Sequence, residues 1–260
     1  MRPALLRRSE PLDLERSFLT NPRTGSFSLS LKMMHRIILF DIDGTLVSGG
    51  PAKSAFVDAM SETYGTAGDF ENVSFAGKTD PQIVRELLTN SGMSRDEVAS
   101  GLEELFDRYL AYLEVRLPKN PVTVLPGVRE LLDGLSRYDD VGLGLLTGNV
   151  AEGARLKLSS GDLWEWFDFG SYGSDHENRD ELPAIAVSRA CDLWGEIVTT
   201  DQAIVVGDTP RDVQCGQVGG TKTMAVATGS FTVEELRGCS PDYVLEDFSS
   251  TAVVIDLLLR

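Results

Sequence analysis

The sequence predicts an α/β fold, a doubly wound parallel sheet interrupted by an inserted α-helical subdomain. Three observations carry this expectation. Short apolar runs recur along the chain with helical stretches between them, the pattern of strands joined by crossover helices. Between Pro51 and Pro121 the periodicity stays helical for roughly 70 residues without a convincing strand. At 260 residues, the chain suits one core carrying an insert better than two full domains.

In chain order, residues 1–33 lack the continuous apolar stretch of a secretory signal. Their arginines suggest a transit peptide, but Glu10, Asp13 and Glu15 argue against one. The segment reads as a disordered extension, or as the product of a start assigned ahead of Met33 or Met34. Core is expected over 34–50 and 122–260. Its first strand is Arg36-Ile37-Ile38-Leu39-Phe40, an apolar run that ends at Asp41. The insert, 51–121, reads as a helical cap with helices over 52–64, 81–90 and 95–117. Asp80 before Pro81 is an N-cap signal, and Ser94 with Glu97 a capping box.

Beyond the insert, strands are expected at 141–146, 203–206 and 223–227, with a weaker one at 243–245. Crossover helices are expected at 126–137, 150–158, 182–194 and 210–218, and a last helix at 249–258. Gly142, Gly144 and Gly148 imitate a dinucleotide loop, but the first two fall inside the strand rather than after it. Trp164, Trp166 and Phe167 read as packing at a helix end. His35 and His176 lack a Ser or Cys partner and read as surface or loop residues.

Hydrophobic residues at 42% and charged residues at 25% are an ordinary globular balance. A net charge of -16 opposes binding to nucleic acid or anionic lipid, and no apolar run reaches the roughly 18 residues of a membrane span. Cys191, Cys215 and Cys239 are odd in number and form no CxxC pair, which excludes a disulfide framework and a zinc site. They read as small buried hydrophobes in a reducing cytoplasm.

Ligands of open α/β sheets gather beyond the carboxyl ends of the strands. The polar groups there are Asp41-Ile42-Asp43-Gly44-Thr45, Thr147-Gly148-Asn149, Arg179 ahead of a helix, and Gly207-Asp208-Thr209-Pro210-Arg211-Asp212. Singly, each has a structural explanation as a turn or helix cap. A calcium loop is excluded for the first, because Leu46 and Ala52 stand where an EF-hand needs glycine and glutamate. Clustered carboxylates at Asp41, Asp43, Asp208 and Asp212 raise one another's pKa unless a cation intervenes. An all-oxygen site with few protein ligands suits magnesium.

In their joint order, these segments resemble the four motifs of the haloacid dehalogenase-like superfamily, over essentially 34–260. Asp-x-Asp-Gly-Thr-Leu paired with Gly-Asp-x-x-x-Asp resembles its phosphatases, particularly phosphoglycolate phosphatase-like members with a helical cap inserted after the first motif. The resemblance implies a Rossmann-like core and magnesium-dependent hydrolysis of a small phosphorylated metabolite. Asp41 would attack phosphorus and form an aspartyl-phosphate. Asp43 would protonate the leaving oxygen and then deprotonate water. The metal would take the Asp41 carboxylate, the Asp43 backbone carbonyl and Asp208. Asp212 would orient the metal's waters or the third motif's cation, with an ordinary helix-face carboxylate as the alternative.

Thr147 would hold a phosphoryl oxygen, helped by backbone N–H groups of Gly148 and Asn149; Asn149 reads equally as a plain N-cap. The third motif commonly carries lysine, and here Arg179 takes its place, keeping the charge. Arg189 is the rival, on what reads as a solvated helix face. Lys78, in Gly77-Lys78-Thr79-Asp80, resembles the substrate loop of capped members and would meet a second anion, unless it is merely an exposed lysine; Lys53 ranks behind it. A sugar phosphomutase would share Asp41 and Asp43, a dehalogenase would need neither the acid nor the metal, and a non-catalytic binding module would have no use for the clustered acids.

Overall fold

The structure, a computed structural model, describes residues 36–260. The expected extension 1–33 and His35 lie outside the described residues. The chain runs β1 (Arg36–Phe40), β2 (Val47–Gly49), α1 (Ala52–Tyr64), α2 (Asp80–Asn90), α3 (Arg95–Arg116) and β3 (Val122–Val124). It continues through α4 (Val128–Leu135), β4 (Val141–Leu146), α5 (Ala151–Ser160), β5 (Phe169–Ser171), α6 (Leu182–Trp194) and β6 (Ala203–Gly207). The last elements are α7 (Pro210–Gly219), β7 (Lys222–Val226), α8 (Val233–Arg237), β8 (Tyr243–Leu245) and α9 (Thr251–Leu259).

Six strands form one parallel sheet in the order β5-β4-β1-β6-β7-β8. The chain leaves β1 toward β4 and β5, then returns to β1's other side with β6. The order therefore reverses at β1, which makes its carboxyl end the topological switch point where such sheets bind ligands. Asp41 and Asp208 follow the neighbouring strands β1 and β6, whose register pairs Phe40 with Val206.

Period-two alternation explains why β1 reads as an unbroken apolar run. Ile38 and Phe40 enter a cluster that reaches Phe56, Leu87 and Tyr109 of the inserted helices, while Ile37 and Leu39 point the other way, toward Leu182 and Ala186 of α6. Within the insert, Phe56 of α1 meets Tyr109 of α3 edge-on at 5.1 Å between centroids. The Ser94–Glu97 capping box opens α3 as expected. In α2, by contrast, the cap is Thr79, whose hydroxyl accepts from the Gln82 N–H, and Asp80 is the first helical residue. The reason is that the Asp80 carboxylate is drawn away to the Val150 N–H, at 2.8 Å.

The antiparallel ribbon of β2 and β3, with Val47 opposite Val124, brackets α1–α3 and was not anticipated. Neither were β5 and α8. Each of these strands has only three residues, too few to establish a period. Trp164–Trp166 forms a 3₁₀ turn rather than a helix end, and Phe167 after it is buried. Gly144 sits inside β4, where a Cβ would lie 2.6 Å from the Phe169 ring, so its smallness serves sheet packing and not a nucleotide. Of the cysteines only Cys215 is buried; Cys191 and Cys239 are half-buried, and all three are free thiols. Among the described residues, no helix is long and apolar enough to cross a membrane.

Candidate active site

At the end of β1, the Asp41 N–H donates to the Val206 carbonyl at 2.9 Å, which fixes this loop against β6. The chain then turns through Gly44, whose φ of 88° lies in the left-handed region that glycine enters without strain. The Gly44 N–H donates to the Val47 carbonyl, and Thr45 Oγ1 donates to Asp208 Oδ1 at 3.2 Å. The DxDGT run is thus a turn, as its composition suggests, but one that carries two carboxylates to the switch point.

Arg179 begins a 3₁₀ turn ahead of α6 and is only 4% exposed. Its Nη2 donates to Asp41 Oδ1 at 2.9 Å, to Asp212 Oδ1 at 2.5 Å and to the Leu146 carbonyl at 3.3 Å. Arg189 is bound elsewhere, to Asp175 and to the Gly170 carbonyl, each at 2.6 Å. Of the two arginines weighed for the third motif, Arg179 is therefore the one on Asp41. Asp212 is no solvated helix-face residue. It is buried, and its Oδ2 accepts from the Thr209 N–H at 3.0 Å and from the Thr209 hydroxyl at 2.7 Å, closing the capping box of α7.

One carboxylate oxygen from each of Asp41, Asp208 and Asp212 lies within 4.8 Å of the others. Burial pushes Asp41 up to about 6, with Arg179 pulling it down and Asp212 raising it. Asp208 is pushed up to about 8 by burial, then by Asp212 and Asp41. One guanidinium among three buried acids leaves uncompensated negative charge, the condition a divalent cation relieves. Both oxygens of Asp212 are committed, whereas Asp41 Oδ2 and Asp208 Oδ2 carry none of these bonds. Two glycines make room for the Asp208 carboxylate itself: a Cβ on Gly44 would lie 2.3 Å, and one on Gly229 only 1.7 Å, from Asp208 Oδ2. The residues present fit an oxygen-bound divalent cation.

On the other side of Asp41, the segment after β4 supplies Thr147, Gly148 and Asn149. The Thr147 N–H donates to the Ser171 carbonyl at 3.0 Å, and its hydroxyl accepts from the Asn149 N–H at 3.3 Å and Nδ2 at 2.8 Å. The hydroxyl hydrogen remains available to a ligand. Gly148 is required by close approach, since a Cβ there would lie 2.0 Å from the Lys78 carbonyl oxygen. Asn149 does not cap α5; that position is Val150. Its amide bridges side chains instead, donating from Nδ2 to Asp43 Oδ2 at 2.8 Å as well as to Thr147.

Asp43 also receives a donor that sequence reading passed over. Lys157 Nζ lies 2.7 Å from Asp43 Oδ2 and 2.5 Å from Asn149 Oδ1, and the lysine is 5% exposed. Desolvation by neighbouring protein raises the Asp43 carboxyl, but the Lys157 charge and its hydrogen bond outweigh this and hold it below the ordinary range. A lysine two turns into an amphipathic-looking helix gives no local signal of this role. The only cue is that its position places it on the face of α5 that also buries Ala154 and Leu158.

Asp41, Asp43, Thr147, Arg179 and Asp208 line one cavity of about 590 Å³. Its far wall is apolar, formed by Phe56, Phe70, Phe75, Ile83 and Tyr109. Lys78 lines it too, but as the ion-pair partner of Glu86, so its charge is already countered. Lys53 stands over the Phe70 ring, 5.3 Å from its centroid. His176 lies outside this cavity, its Nδ1 beside the Asn178 N–H and carbonyl.

Asp80 borders the cavity where the insert meets the sheet: its N–H donates to the Gly148 carbonyl at 2.7 Å, and its carboxylate holds the Val150 N–H. Burial pushes this carboxyl up to about 6, against the pull of Lys157. Because the folded-state value exceeds the ordinary 3.8, ionising Asp80 destabilises the fold, so its effect is absent below about pH 4 and grows as pH rises through about 6. Asp80→Asn keeps an acceptor for Val150. Thermal denaturation should show the variant more stable than wild type at pH 7 and equal to it near pH 4; a deficit at pH 7 contradicts this.

Comparison with known proteins follows the same lines. The sequence model of the haloacid dehalogenase-like hydrolase family matches residues 38–226. A phosphoglycolate phosphatase of Pseudomonas savastanoi pv. phaseolicola is 30% identical over 231 residues, spanning 86% of this chain and 81% of that protein. The crystal structure of a predicted phosphoglycolate phosphatase from Haemophilus somnus superposes with a TM-score of 0.62 at 19% identity, covering 86% of this chain and 98% of that one. A β-phosphoglucomutase from Clostridium difficile superposes with a TM-score of 0.61 at 15% identity, over 87% and 97%. At these identities the structural likeness is one of fold.

Proposed function

Because the chain belongs to the haloacid dehalogenase-like hydrolase family and is a phosphoric monoester hydrolase, we propose that it is a magnesium-dependent phosphatase working through an aspartyl-phosphate on Asp41. The observation that supports this most is the convergence of Asp41, Arg179, Asp208 and Asp212 into one buried cluster that opens on the cavity.

Arg179 holds Oδ1 of Asp41, leaving Oδ2 to attack phosphorus in line with the leaving oxygen. Magnesium would be held by the Asp41 carboxylate, the Asp43 backbone carbonyl and Asp208, and when bound it offsets the charge of the phosphoryl oxygens and of the acids. Asp212 orients Arg179. The Thr147 hydroxyl and the N–H groups of Gly148 and Asn149 hold the phosphoryl group. As the bond from phosphorus to the leaving oxygen breaks, its electron pair stays on that oxygen and the Asp43 proton goes to it. In the second half, water bonds to phosphorus, gives its proton to Asp43, and the Asp41 carboxylate departs. Free Asp43 is a carboxylate beside Lys157; a phosphate dianion arriving next to it raises its pKa and allows it to act as the acid.

The inserted helices α1–α3 act as a cap that supplies the apolar wall around the alcohol of the ester. With Lys78 paired to Glu86, a second anionic group on the substrate finds less positive charge here than the sequence suggested. The substrate is a small phosphorylated metabolite, and the three free thiols favour a reducing cytoplasmic setting.

Inorganic phosphate release from a panel of monoesters tests the reading. Release should require magnesium, stop with EDTA and return when magnesium is restored in excess. Isomerisation of a phosphosugar without phosphate release would make the protein a phosphomutase. No turnover of any ester by folded protein in magnesium would make it a binding module.

A further inference from the structure

Lys157 is a buried cation to which the chemistry above gives no task. An ammonium taken out of water destabilises the fold unless it is paired and hydrogen-bonded. At 5% exposure its Nζ is both, with Asp43 Oδ2 at 2.7 Å and Asn149 Oδ1 at 2.5 Å. Asn149 Nδ2 then donates to the same Asp43 oxygen at 2.8 Å, so the three side chains close a ring. Asp80 also stands near the ammonium and, when ionised, adds to its stabilisation as a cation.

The ring is asymmetric in a useful way. Both donors meet Oδ2 of Asp43, and Oδ1 makes neither contact. The Asp43 side chain is 48% exposed at the edge of the cavity, on a loop where a carboxylate has several rotamers open to it. Proton transfer requires the carboxyl oxygen within hydrogen-bond reach of the reacting oxygen, a condition a rotating side chain meets only part of the time.

We propose that Lys157 is a positioning residue: with Asn149 it clamps one oxygen of Asp43 so that the other is presented to the leaving oxygen and then to the attacking water. The proposal rests on the reading of Asp43 as acid and base, and it adds a residue that lies in none of the four motif segments. Lys157 thereby acts through Asp43 and not on the ester.

The test compares kcat/KM for two esters, ethyl phosphate and 4-nitrophenyl phosphate, in wild type, Lys157→Met and Lys157→Arg. This parameter covers steps up to cleavage of the ester bond, so the common second half-reaction does not enter it. Nitrophenolate departs without a proton, whereas ethoxide needs one. Lys157→Met, which keeps the volume of the stem, should lower kcat/KM for ethyl phosphate by about 10²-fold and for the nitrophenyl ester far less. The loss should sit in kcat and not in KM, and Lys157→Arg should return the ratio of the two esters toward that of wild type.

The ratio is taken within one preparation, so a reduced folded fraction cancels. Equal losses on both esters, or a rise confined to KM, would overturn the proposal, the first by showing a purely structural lysine and the second a substrate contact. If wild type releases phosphate from neither ester, the proposed function itself has failed. If wild type turns over both and the ratio in Lys157→Met is unchanged, only the role of Lys157 has.

Discussion

Asp41→Asn is expected to lose phosphate release entirely, a fall of at least about 10⁴-fold, because the amide cannot attack phosphorus and no other carboxylate takes its place. Asp43 is engaged by Lys157 and Asn149, Asp212 by Arg179 and Thr209. The fold should survive. Asp41 is already pushed up to about 6 by burial, so a neutral side chain of the same shape removes a charge that its surroundings resist. Inactive protein with a thermal midpoint at or above that of wild type is the expected pair of results. Retained turnover in magnesium would remove Asp41 from the role of nucleophile.

The second large effect belongs to Arg179, and it falls on stability as well as on turnover. Arg179→Met leaves Asp41 and Asp212 buried without their shared cation, and breaking a buried pair in this way costs about 3–5 kcal/mol. The sign with pH follows from which state holds the proton. Without the guanidinium, the Asp41 carboxyl is raised further in the folded state, so the deficit is smallest near pH 4 and grows as pH rises. Chemical denaturation at pH 4 and pH 7 measures this, and a deficit independent of pH would point to lost packing instead.

Arg179→Lys should be much milder. A single nitrogen, Nη2, makes the contacts to both Asp41 and Asp212, so one ammonium at that point reproduces them. Nε is buried without a partner, a liability that lysine does not share. On this expectation a lysine would serve at this place too, in keeping with Arg179 as the proposed counterpart of the commoner lysine.

What could be read from the chain divides along physical lines. Asp41 and Asp208 were legible because each ends an apolar run, and an apolar run in an α/β pattern fixes which end faces the ligand. The helices with a clear period, 52–64 and 182–194, lie where the structure has α1 and α6. The ribbon of β2 and β3 escaped because three residues have no period, and Thr79 replaced Asp80 as a cap because a distant N–H outcompeted the local ones. Lys157 escaped for a different reason. Its partner Asp43 is 114 positions away, and nothing in the neighbourhood of a helical lysine announces a contact at that range. Asn149 was half legible: its place in a Thr-Gly-Asn turn was plain, but its amide serves three side chains and not its own helix.

Gly229 belongs to the loop after β7, in no segment that carries chemistry, and it touches nothing with a side chain of its own. The room it leaves is filled by the Asp208 carboxylate, whose Oδ2 would lie 1.7 Å from a Cβ there, so its identity is dictated by a close approach rather than by a bond. An alanine at that position would push the Asp208 carboxylate out of its place in the acidic cluster. The lack of a side chain after β7 thus sets where the carboxylate after β6 can stand.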